Sequence, residues 1–533
     1  MVFEKIKYKN FDWNLLLLVL FFVIIKSFTP YPYHFITMDE PKYLTLVKNF
    51  PHYFIFNKNF CLDYPPFYPF VIKIFSMVFP DYIAGLLVSQ LSALGCLIMS
   101  IFLLKLFKVE KRIIYTTTIF LSFSWLLYYW SNLIYKEIFF TFLILSLFYF
   151  LFKSMETSQK KYIFISSLFG LFAAFTTDLI VFAFPVIIAG IFFYWNRCRI
   201  KKISLLIPGI VTFVGYGIWL LIRLWFYTHY TYYPIGVDGI IENVSKFNFM
   251  SIITPRDFHY TKQLTHASIS FSPFNYIKYI GSIINFIPPF HISFYRISKL
   301  KFIILILFIY LPILFLIIRG IVISLKNKEW IGIFLFILLL FFISPVVYGI
   351  SSPRFSIASA ISMAYFFAKG FPIIEKKIYL KIFRVILPIF LVLFLFYWIF
   401  KNPYFILSLK KKVNLQKAGN FLNTLPANGV MAEFGDPPSL AYLTNKRIIG
   451  LPFDTSQIEK QVKLFKIKYV IFNETQKNKK FEIAPIYLNT INYIKNNSKK
   501  FKLLTVINEG TKKYMEIGKV KIPKSKVFIY ETK

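Results

Sequence analysis

The stretch "TMDEPKYLTLVKNF", residues 37–50, places two adjacent carboxylates, Asp39 and Glu40, shortly after one of the most apolar runs in the chain. That run, from Leu15 to Ile25, follows a basic N-terminus, and no small-residue cleavage site comes after it. This pattern predicts an uncleaved first membrane span. An acid pair thus stands where the first span leaves the bilayer, and the rest of the chain indicates why.

The composition is that of a membrane protein. The chain has 533 residues, of which 57% are hydrophobic and 21% aromatic, and its mean hydropathy is +0.60. Apolar runs of about 18 or more residues, the length that crosses a bilayer, recur over the first three quarters of the sequence. The three cysteines are too few and too scattered for a disulfide framework or a zinc site. We expect a polytopic α-helical membrane protein.

The charges predict how the chain crosses the membrane. The net charge is +38, from 62 Lys and Arg against 24 Asp and Glu. Most basic residues stand in short clusters between apolar runs, such as "KLFKVEKR" (105–112). This pattern is typical of cytoplasmic loops beside anionic lipid headgroups, so we expect membrane lipids and no nucleic acid as partners. The eleven or so predicted spans lie near residues 12–29, 82–107, 113–130, 133–152, 162–178, 179–195, 203–227, 302–323, 331–350, 355–371 and 385–400.

With the basic clusters in the cytoplasm, the spans alternate consistently, and the chain begins in the cytoplasm and ends outside. The predicted fold is an all-α polytopic membrane domain over residues 1–401 with a small extracytoplasmic α/β domain over residues 410–533, where short β-type runs alternate with helical or turn-rich stretches. The first external loop covers residues 30–81, and its Pro-rich part, residues 66–80, is too short to span and is expected to lie at the interface or to re-enter the membrane. Residues 228–300 form a long external loop.

The basic clusters alone set this topology, and on it six ionisable residues converge on the external face. They are Asp39, Glu40, Asp63, Glu137, Asp178 and Arg354. Charges near hydrocarbon are expensive and usually face an interior cavity, so the set is a candidate functional site. Five of them also have a simpler interpretation: Asp39 and Asp178 as caps of a helix or turn, Asp63 as an ordinary loop acid, Glu137 as the partner of Lys136, and Arg354 as a headgroup anchor.

The chemistry that suits these residues is sugar transfer from a lipid phosphate. A carboxylate that faces water beside the membrane can act as general base toward an acceptor hydroxyl. A lipid phosphate leaving a sugar carbon needs stabilising positive charge more than it needs a proton, and Lys42 and Arg354 are available for that. One base and a cationic phosphate site fit an inverting displacement.

Four segments resemble the membrane glycosyltransferases with the C-type fold. They are "MDEPKY" (38–43), "LDYPPFYPF" (62–70), "KEIFFTFL" (136–143) and "PRFS" (353–356). The resemblance is strongest to the protein O-mannosyltransferase and lipid A aminoarabinose transferase relatives and covers most of the membrane region. The acid pair is its most specific feature, and the other segments are degenerate.

The resemblance implies a role for each residue. It makes Asp39 the catalytic base and Glu40 a second catalytic residue beside it, and it places Lys42 and Arg354 on the donor phosphate, with Phe355 where relatives have Tyr. The residues it implies in substrate positioning are Tyr43, Asp63, Tyr64, Glu137 and Asp178. Glu137 stands where many relatives have Asp.

One departure from the family pattern leaves two ways of holding the donor phosphate. Where aminoarabinose-type relatives have Lys in a "TKG" segment, this chain has "TTDL" (176–179). Either Lys42 and Arg354 neutralise the phosphate directly and no cofactor is needed, or Glu137 and Asp178 help to hold Mg²⁺ or Mn²⁺, which prefer such oxygen ligands.

The expected function is transfer of a single sugar from a polyprenyl phosphate to a lipid, protein or glycan hydroxyl, at the external face of the cell membrane. The "WWDYG" signature of the oligosaccharyltransferase branch does not occur, which favours a single sugar over a large oligosaccharide. The alternatives are a transporter or flippase of a lipid-linked substrate, in which internal repeats and broken mid-membrane helices are typical, and a receptor-like or assembly protein whose external domain is the active part.

Overall fold

The computed structural model describes only part of the chain. The described residues are 12–28, 39–48, 50, 65–124, 127, 130–194, 202–229, 232–235, 240–243, 311–347, 357–371, 413–426, 429–432, 440, 442–444, 446–451, 455–464, 466–477, 480–482, 488–508 and 525–533. Asp63, Tyr64, Arg354 and the predicted span 385–400 lie outside them. The helices Asp39–Lys48 and Lys136–Thr157 both lie within them.

The first part of the chain is helical. Its helices are α1 (Trp13–Phe28), α2 (Asp39–Lys48), α3 (Phe67–Ser76), α4 (Asp81–Leu106), α5 (Lys111–Phe123), α6 (Lys136–Thr157), α7 (Lys160–Ala174), α8 (Ala183–Tyr194), α9 (Ile207–His229), α10 (Leu311–Lys326), α11 (Trp330–Val347) and α12 (Ala360–Gly370). Short 3₁₀ turns cover Trp130–Asn132, Asp178–Phe182 and Lys202–Leu206. Two short antiparallel strands, β1 (Tyr232–Ile235) and β2 (Ile240–Asn243), follow α9.

The helices follow the predicted spans closely. Each predicted span up to residue 371 overlaps a helix or a helix with its leading 3₁₀ turn. Among the described helices, three stretches are long and apolar enough to cross a membrane, namely Asp81–Leu106, Lys136–Thr157 and Ser204–Ile222. The total number of crossings stays a prediction.

The boundaries differ from the prediction where 3₁₀ turns intervene. The span expected at 179–195 begins with the 3₁₀ turn Asp178–Phe182, and its α-helix starts only at Ala183. Pro185 then falls in the first helical turn, where a residue needs no backbone N–H partner. The span expected at 133–152 likewise begins three residues later, at Lys136, after the turn Trp130–Asn132.

The packing of the helices defines two ends of the bundle. Gly85 of α4 lies against Ile134, just before α6, and Phe102 of α4 packs on Tyr149 of α6, so the two helices run in the same direction. Helix α7 returns antiparallel to α6, and the Phe175 carbonyl accepts a hydrogen bond from the Phe67 N–H at 2.9 Å. We call the end where α4 and α6 begin the acid end and the opposite end the basic end.

The two ends differ in charge as the sequence predicts. The acid end carries Glu40, Asp81, Glu137 and Asp178. The turns at the basic end carry Lys108, Lys111, Lys160 and Lys328. Three buried acids, Glu40, Glu137 and Asp178, therefore lie at the acid end, whereas Glu110 and Glu156 at the basic end are exposed.

Helices α10 and α12 approach so closely that only glycine fits between them. A Cβ added at Gly320 would overlap the Phe366 carbonyl, and a Cβ added at Gly370 would overlap the Leu316 carbonyl. Small residues at such crossings let helix backbones touch in membrane proteins, where van der Waals packing drives helix association.

We expect Gly320→Ala to lower the free energy of unfolding by about 1–3 kcal/mol, because the added methyl forces the two backbones apart. Thermal unfolding of the purified protein in detergent measures the loss. The matched control is Gly217→Ala in α9, where an added Cβ meets nothing within 4 Å. Equal unfolding temperatures for the two variants would contradict the close crossing.

The last part of the chain contains a six-stranded mixed sheet. Its strands are β3 (Gly429–Ala432), β4 (Arg447–Gly450), β5 (Tyr469–Lys477), β6 (Lys480–Glu482), β7 (Phe501–Asn508) and β8 (Ser525–Thr532). The order is β4-β3-β5-β8-β7, with β6 paired to β5. The pairs of β3 with β4 and β5 are parallel, and β8 pairs antiparallel with β5 and β7.

Helices cover both faces of this sheet. Helices α14 (Ser456–Leu464) and α15 (Leu488–Asn496) pack on the face that carries Met431. Helix α13 (Val413–Asn423) packs on the face that carries Val430 and Ala432. Alternate residues of β3 therefore enter two separate cores, as a strand buried on both sides requires. The exact boundaries 410–533 and the placement outside the membrane stay predictions.

Candidate functional site

Helix α2, the first-loop helix, is built from the opening motif. Asp39 and Glu40 stand in its first turn, where negative charge interacts favourably with the helix dipole. Pro41 also falls in this turn, where its missing N–H costs nothing. Lys48 ends the helix, where positive charge is favourable. The acid pair, the proline and the terminal lysine together specify a short helix directly after the first span.

One face of the first-loop helix is buried in the bundle. Glu40, Tyr43, Leu44 and Val47 follow the spacing i, i+3, i+4, i+7, and all four are at most 1% exposed. Three of these side chains are apolar or aromatic, so the carboxylate of Glu40 is carried into the same buried face. A buried carboxylate is costly unless hydrogen bonds compensate it.

Glu40 anchors the first-loop helix to the bundle. Its Oε1 accepts a hydrogen bond from the Ile134 backbone N–H at 3.2 Å. Ile134 lies between the 3₁₀ turn Trp130–Asn132 and the start of α6. The bond therefore fixes the first turn of the helix, including the backbone of Asp39, against the acid end.

Tyr68 connects the first-loop helix to the rest of the acid end. Its ring packs edge-on against Tyr43 at 5.1 Å between centroids. Its hydroxyl shares a 3.0 Å hydrogen bond with the Ser89 hydroxyl of α4. The carboxylates of Glu137 and Glu40 both lie within electrostatic range of this tyrosine.

Glu137 stands in the first turn of α6 and is 2% exposed. The N-terminal position is favourable for a carboxylate because the helix dipole is positive there. Its neighbour Lys136 is also buried. A buried ionisable pair at the end of a membrane helix is a costly arrangement that marks functional sites.

Asp178 opens the 3₁₀ turn that follows α7 and is 8% exposed. The cap of this turn comes from Thr177, whose hydroxyl accepts a hydrogen bond from the Leu179 N–H at 3.4 Å. Phe175, three residues before Asp178, bonds to Phe67 at the start of α3. The "TTDL" segment therefore lies at the acid end.

The structure places four of the nine predicted site residues, with their side chains, at the acid end, namely Glu40, Tyr43, Glu137 and Asp178. It places Asp39 and Lys42 on the first-loop helix by their backbone, and their side chains are outside the described part. Asp63, Tyr64 and Arg354 are outside it entirely. Their roles stay predictions.

Among the described residues, no three His, Cys, Asp or Glu side chains come close enough to share a metal ion. Glu137 and Asp178 would therefore need ligands from undescribed residues, such as the side chain of Asp39, to complete an ion site.

Sequence reasoning missed Tyr68, Ser89 and Ile134. Tyr68 stands inside the segment "LDYPPFYPF" (62–70). A tyrosine between prolines on an apolar helix is a pattern from which its role could have been predicted. Ser89 and Ile134 contribute through a hydroxyl and a backbone N–H in otherwise apolar stretches, which carry no sequence signal.

Because Glu40 accepts a hydrogen bond from Ile134, two substitutions of Glu40 can distinguish an anchoring role from a catalytic one. We expect Glu40→Ala to lower the free energy of unfolding by about 1–3 kcal/mol, since it leaves a buried N–H without its acceptor. Glu40→Gln keeps an oxygen in place and should retain most of the stability and most of the activity. If Glu40→Gln instead lost activity as fully as Asp39→Asn, Glu40 would be part of the acid–base chemistry.

No protein-family model matches the chain, and no curated protein matches it in sequence. Solved structures do match. The archaeal oligosaccharyltransferase AglB from Archaeoglobus fulgidus, in complex with an inhibitory peptide and a dolichol-phosphate, is 11% identical, with 98% of this chain and 88% of that chain covered and a TM-score of 0.57. The same enzyme tethered to an acceptor peptide with the NVT sequon is 12% identical, with the same coverage and a TM-score of 0.56.

ArnT from Cupriavidus metallidurans, bound to undecaprenyl phosphate, is 11% identical over 97% of both chains, with a TM-score of 0.42. The likeness to the archaeal enzyme, with TM-scores above 0.5, shows the fold, and it covers 98% of this chain and 88% of that chain. The chain has the C-type fold of membrane glycosyltransferases, as its motifs predicted.

Proposed function

We propose that this chain, with its C-type fold, is an integral membrane glycosyltransferase. It moves one sugar from a polyprenyl phosphate to the hydroxyl of a lipid, protein or glycan acceptor, with Asp39 as the general base. The observation that carries the proposal is the gathering of Glu40, Glu137 and Asp178 at one end of the bundle, around the helix that holds Asp39. Buried acids are too costly to collect at one site for packing alone.

The reaction is a single displacement at the sugar's anomeric carbon. Asp39 takes the proton of the acceptor hydroxyl as the acceptor oxygen forms its bond to that carbon. The bond between the carbon and the phosphate oxygen breaks, and the polyprenyl phosphate leaves with the electron pair. Lys42 and Arg354 stabilise the charge on the departing phosphate. Attack opposite to the leaving group inverts the anomeric configuration.

The other acids position the reacting groups. Glu40 holds the first-loop helix through Ile134, and the adjacent Asp39 is the acid that we propose acts on the substrate. Glu137 and Asp178 lie at the same end, where carboxylates suit hydrogen bonds to sugar hydroxyls. Tyr43, Asp63 and Tyr64 complete the set proposed to orient donor and acceptor.

The charge sorting supports an external active face. With the basic end in the cytoplasm, the acid end faces outward. The neighbouring structures hold dolichol-phosphate in one case and a peptide acceptor in another, which supports a lipid-linked donor here. The absence of the "WWDYG" signature supports a single sugar as the transferred group.

The test uses purified protein in detergent, where transport between leaflets has no meaning. The protein is incubated with a panel of polyprenyl-phosphate sugars, one lipid-linked oligosaccharide and a mixed acceptor extract, and products are analysed by mass spectrometry. We expect free polyprenyl phosphate and a glycosylated acceptor from one of the single-sugar donors. Product from the oligosaccharide donor alone would replace the single-sugar assignment, and intact donors throughout would favour a flippase or binding protein.

A further inference from the structure

Among the described residues, a short segment of the sheet part of the chain touches the first-loop helix. This segment, the docking turn, consists of the described residues 440 and 442–444 and lies in the connection between the parallel strands β3 and β4. The Lys48 ammonium, at the end of the first-loop helix, donates a hydrogen bond to the Tyr442 carbonyl at 3.3 Å. The Tyr442 side chain packs against the core of the helical bundle.

The docking turn is held firmly by the sheet. Leu440 is completely buried in the core on the α13 face of the sheet. The Asn423 side-chain amide of α13 donates to the Leu443 carbonyl at 3.2 Å. The Thr444 hydroxyl donates to the Leu440 carbonyl at 2.7 Å and closes the turn. The backbone that carries Tyr442 is therefore held in place by these contacts.

Tyr442 also lies within electrostatic range of the start of helix α4. Burial, and then the negative charge of Asp81, raise the pKa of Tyr442 to about 12. Asp81 is the first residue of α4. Its hydroxyl stays protonated at neutral pH.

The first-loop helix is thus held at both ends. Glu40 fixes its first turn to Ile134, and the exposed Lys48 side chain hydrogen-bonds the docking turn from its last residue. The buried face of the helix already restricts its position, and the contact of Lys48 adds a restraint at the end farthest from Glu40. Catalytic groups must be held within about 0.5 Å and 10–20° of their working geometry.

We propose that Tyr442 is a positioning residue for the transfer reaction. Through the docking turn, the sheet part of the chain sets the direction of the first-loop helix and thereby the position of Asp39. This inference rests on the proposed function, because the position of Asp39 affects turnover only if Asp39 is the base. If it holds, contacts made by the sheet part of the chain affect the rate of turnover.

Two substitutions test the positioning role, and each has a control. Tyr442→Ala removes the ring that packs on the bundle, and Lys48→Met removes the hydrogen bond to the docking turn. Tyr442→Phe keeps the ring and serves as the conservative variant. Tyr493→Ala is the control in the same part of the chain. Tyr493 lies on helix α15, packs on Phe501 and bonds to Glu459, all within the sheet part.

We expect Tyr442→Ala to lower kcat about 10- to 100-fold, because small misplacements of a catalytic group have effects of this size. The KM for the donor should change less than about 3-fold, since Tyr442 is not assigned to donor binding. Lys48→Met should give a smaller loss in the same direction. Tyr442→Phe should recover most of the turnover, and Tyr493→Ala should match the wild type.

Hydrogen exchange supplies a readout that does not depend on activity. Amides of residues 43–48 should exchange faster in Tyr442→Ala than in wild type and Tyr493→Ala, because the far end of the helix is released. Wild-type kcat together with wild-type exchange in Tyr442→Ala would overturn the positioning role. Faster exchange in a protein whose wild type transfers no sugar would place the failure in the proposed function, and the contact itself would stand.

Discussion

Asp39→Asn should reduce sugar transfer by about 10²- to 10⁴-fold, because an amide cannot take the proton of the acceptor hydroxyl. The substitution preserves size and shape, and Glu40 still anchors the same turn through Ile134. Folding should therefore be unaffected. Initial rates of product formation at saturating donor and acceptor measure the loss, and the thermal unfolding temperature in detergent checks the fold.

The matched control is Glu110→Gln. Glu110 is 70% exposed and precedes α5 at the basic end, so the same loss of one carboxylate there should leave transfer unchanged. Donor binding by Asp39→Asn should also stay close to wild type, since the base acts on the acceptor. Wild-type turnover in Asp39→Asn would remove Asp39 from the mechanism.

Arg354→Ala should weaken donor binding by about 10- to 100-fold, the effect of losing a charge-assisted hydrogen bond to phosphate. Such contacts are often bidentate, so Arg354→Lys should restore only part of the affinity. Titration with a polyprenyl phosphate measures the change. Arg319→Ala removes the same charge at a position on α10 and is the control.

The same titration separates the two ways of holding the phosphate. If Lys42 and Arg354 bind it directly, EDTA should leave affinity and turnover unchanged. If Glu137, Asp178 and the acids of the first loop hold a divalent ion instead, EDTA should stop turnover and Mg²⁺ or Mn²⁺ should restore it. We favour the direct contact, since Lys42 stands on the first-loop helix beside the acid pair. Turnover that EDTA abolishes and Mn²⁺ restores would contradict that choice.

The helical part of the fold was predictable because its signals are local. Long apolar runs and basic clusters decide where helices begin and end, and the predicted spans overlap the helices accordingly. The 3₁₀ turns at 130–132 and 178–182 were not predictable, because hydropathy does not distinguish them from α-helix. The contact of Gly320 with Phe366 depends on how two distant helices cross, which no local pattern encodes.

The candidate site was predictable only in its ionisable members. Charged residues in apolar surroundings stand out, so Glu40, Glu137 and Asp178 could be selected from the sequence. The different roles of Asp39 and Glu40 could not be predicted, because Glu40 is bonded to a backbone N–H 94 positions away. The same holds for Tyr442, whose role depends on how the sheet docks on the bundle.

The most direct test of the central claim is a phosphorus NMR time course on the purified protein with its donor and acceptor. A polyprenyl-phosphate sugar is a phosphodiester, and free polyprenyl phosphate is a phosphomonoester, so their signals report whether the bond from sugar to phosphate breaks. We predict that the phosphomonoester signal grows over many turnovers with wild type and stays at background with Asp39→Asn. A phosphodiester signal that persists unchanged with wild type, while the labelled lipid crosses the bilayer of a vesicle containing the protein, would contradict sugar transfer and assign transport instead.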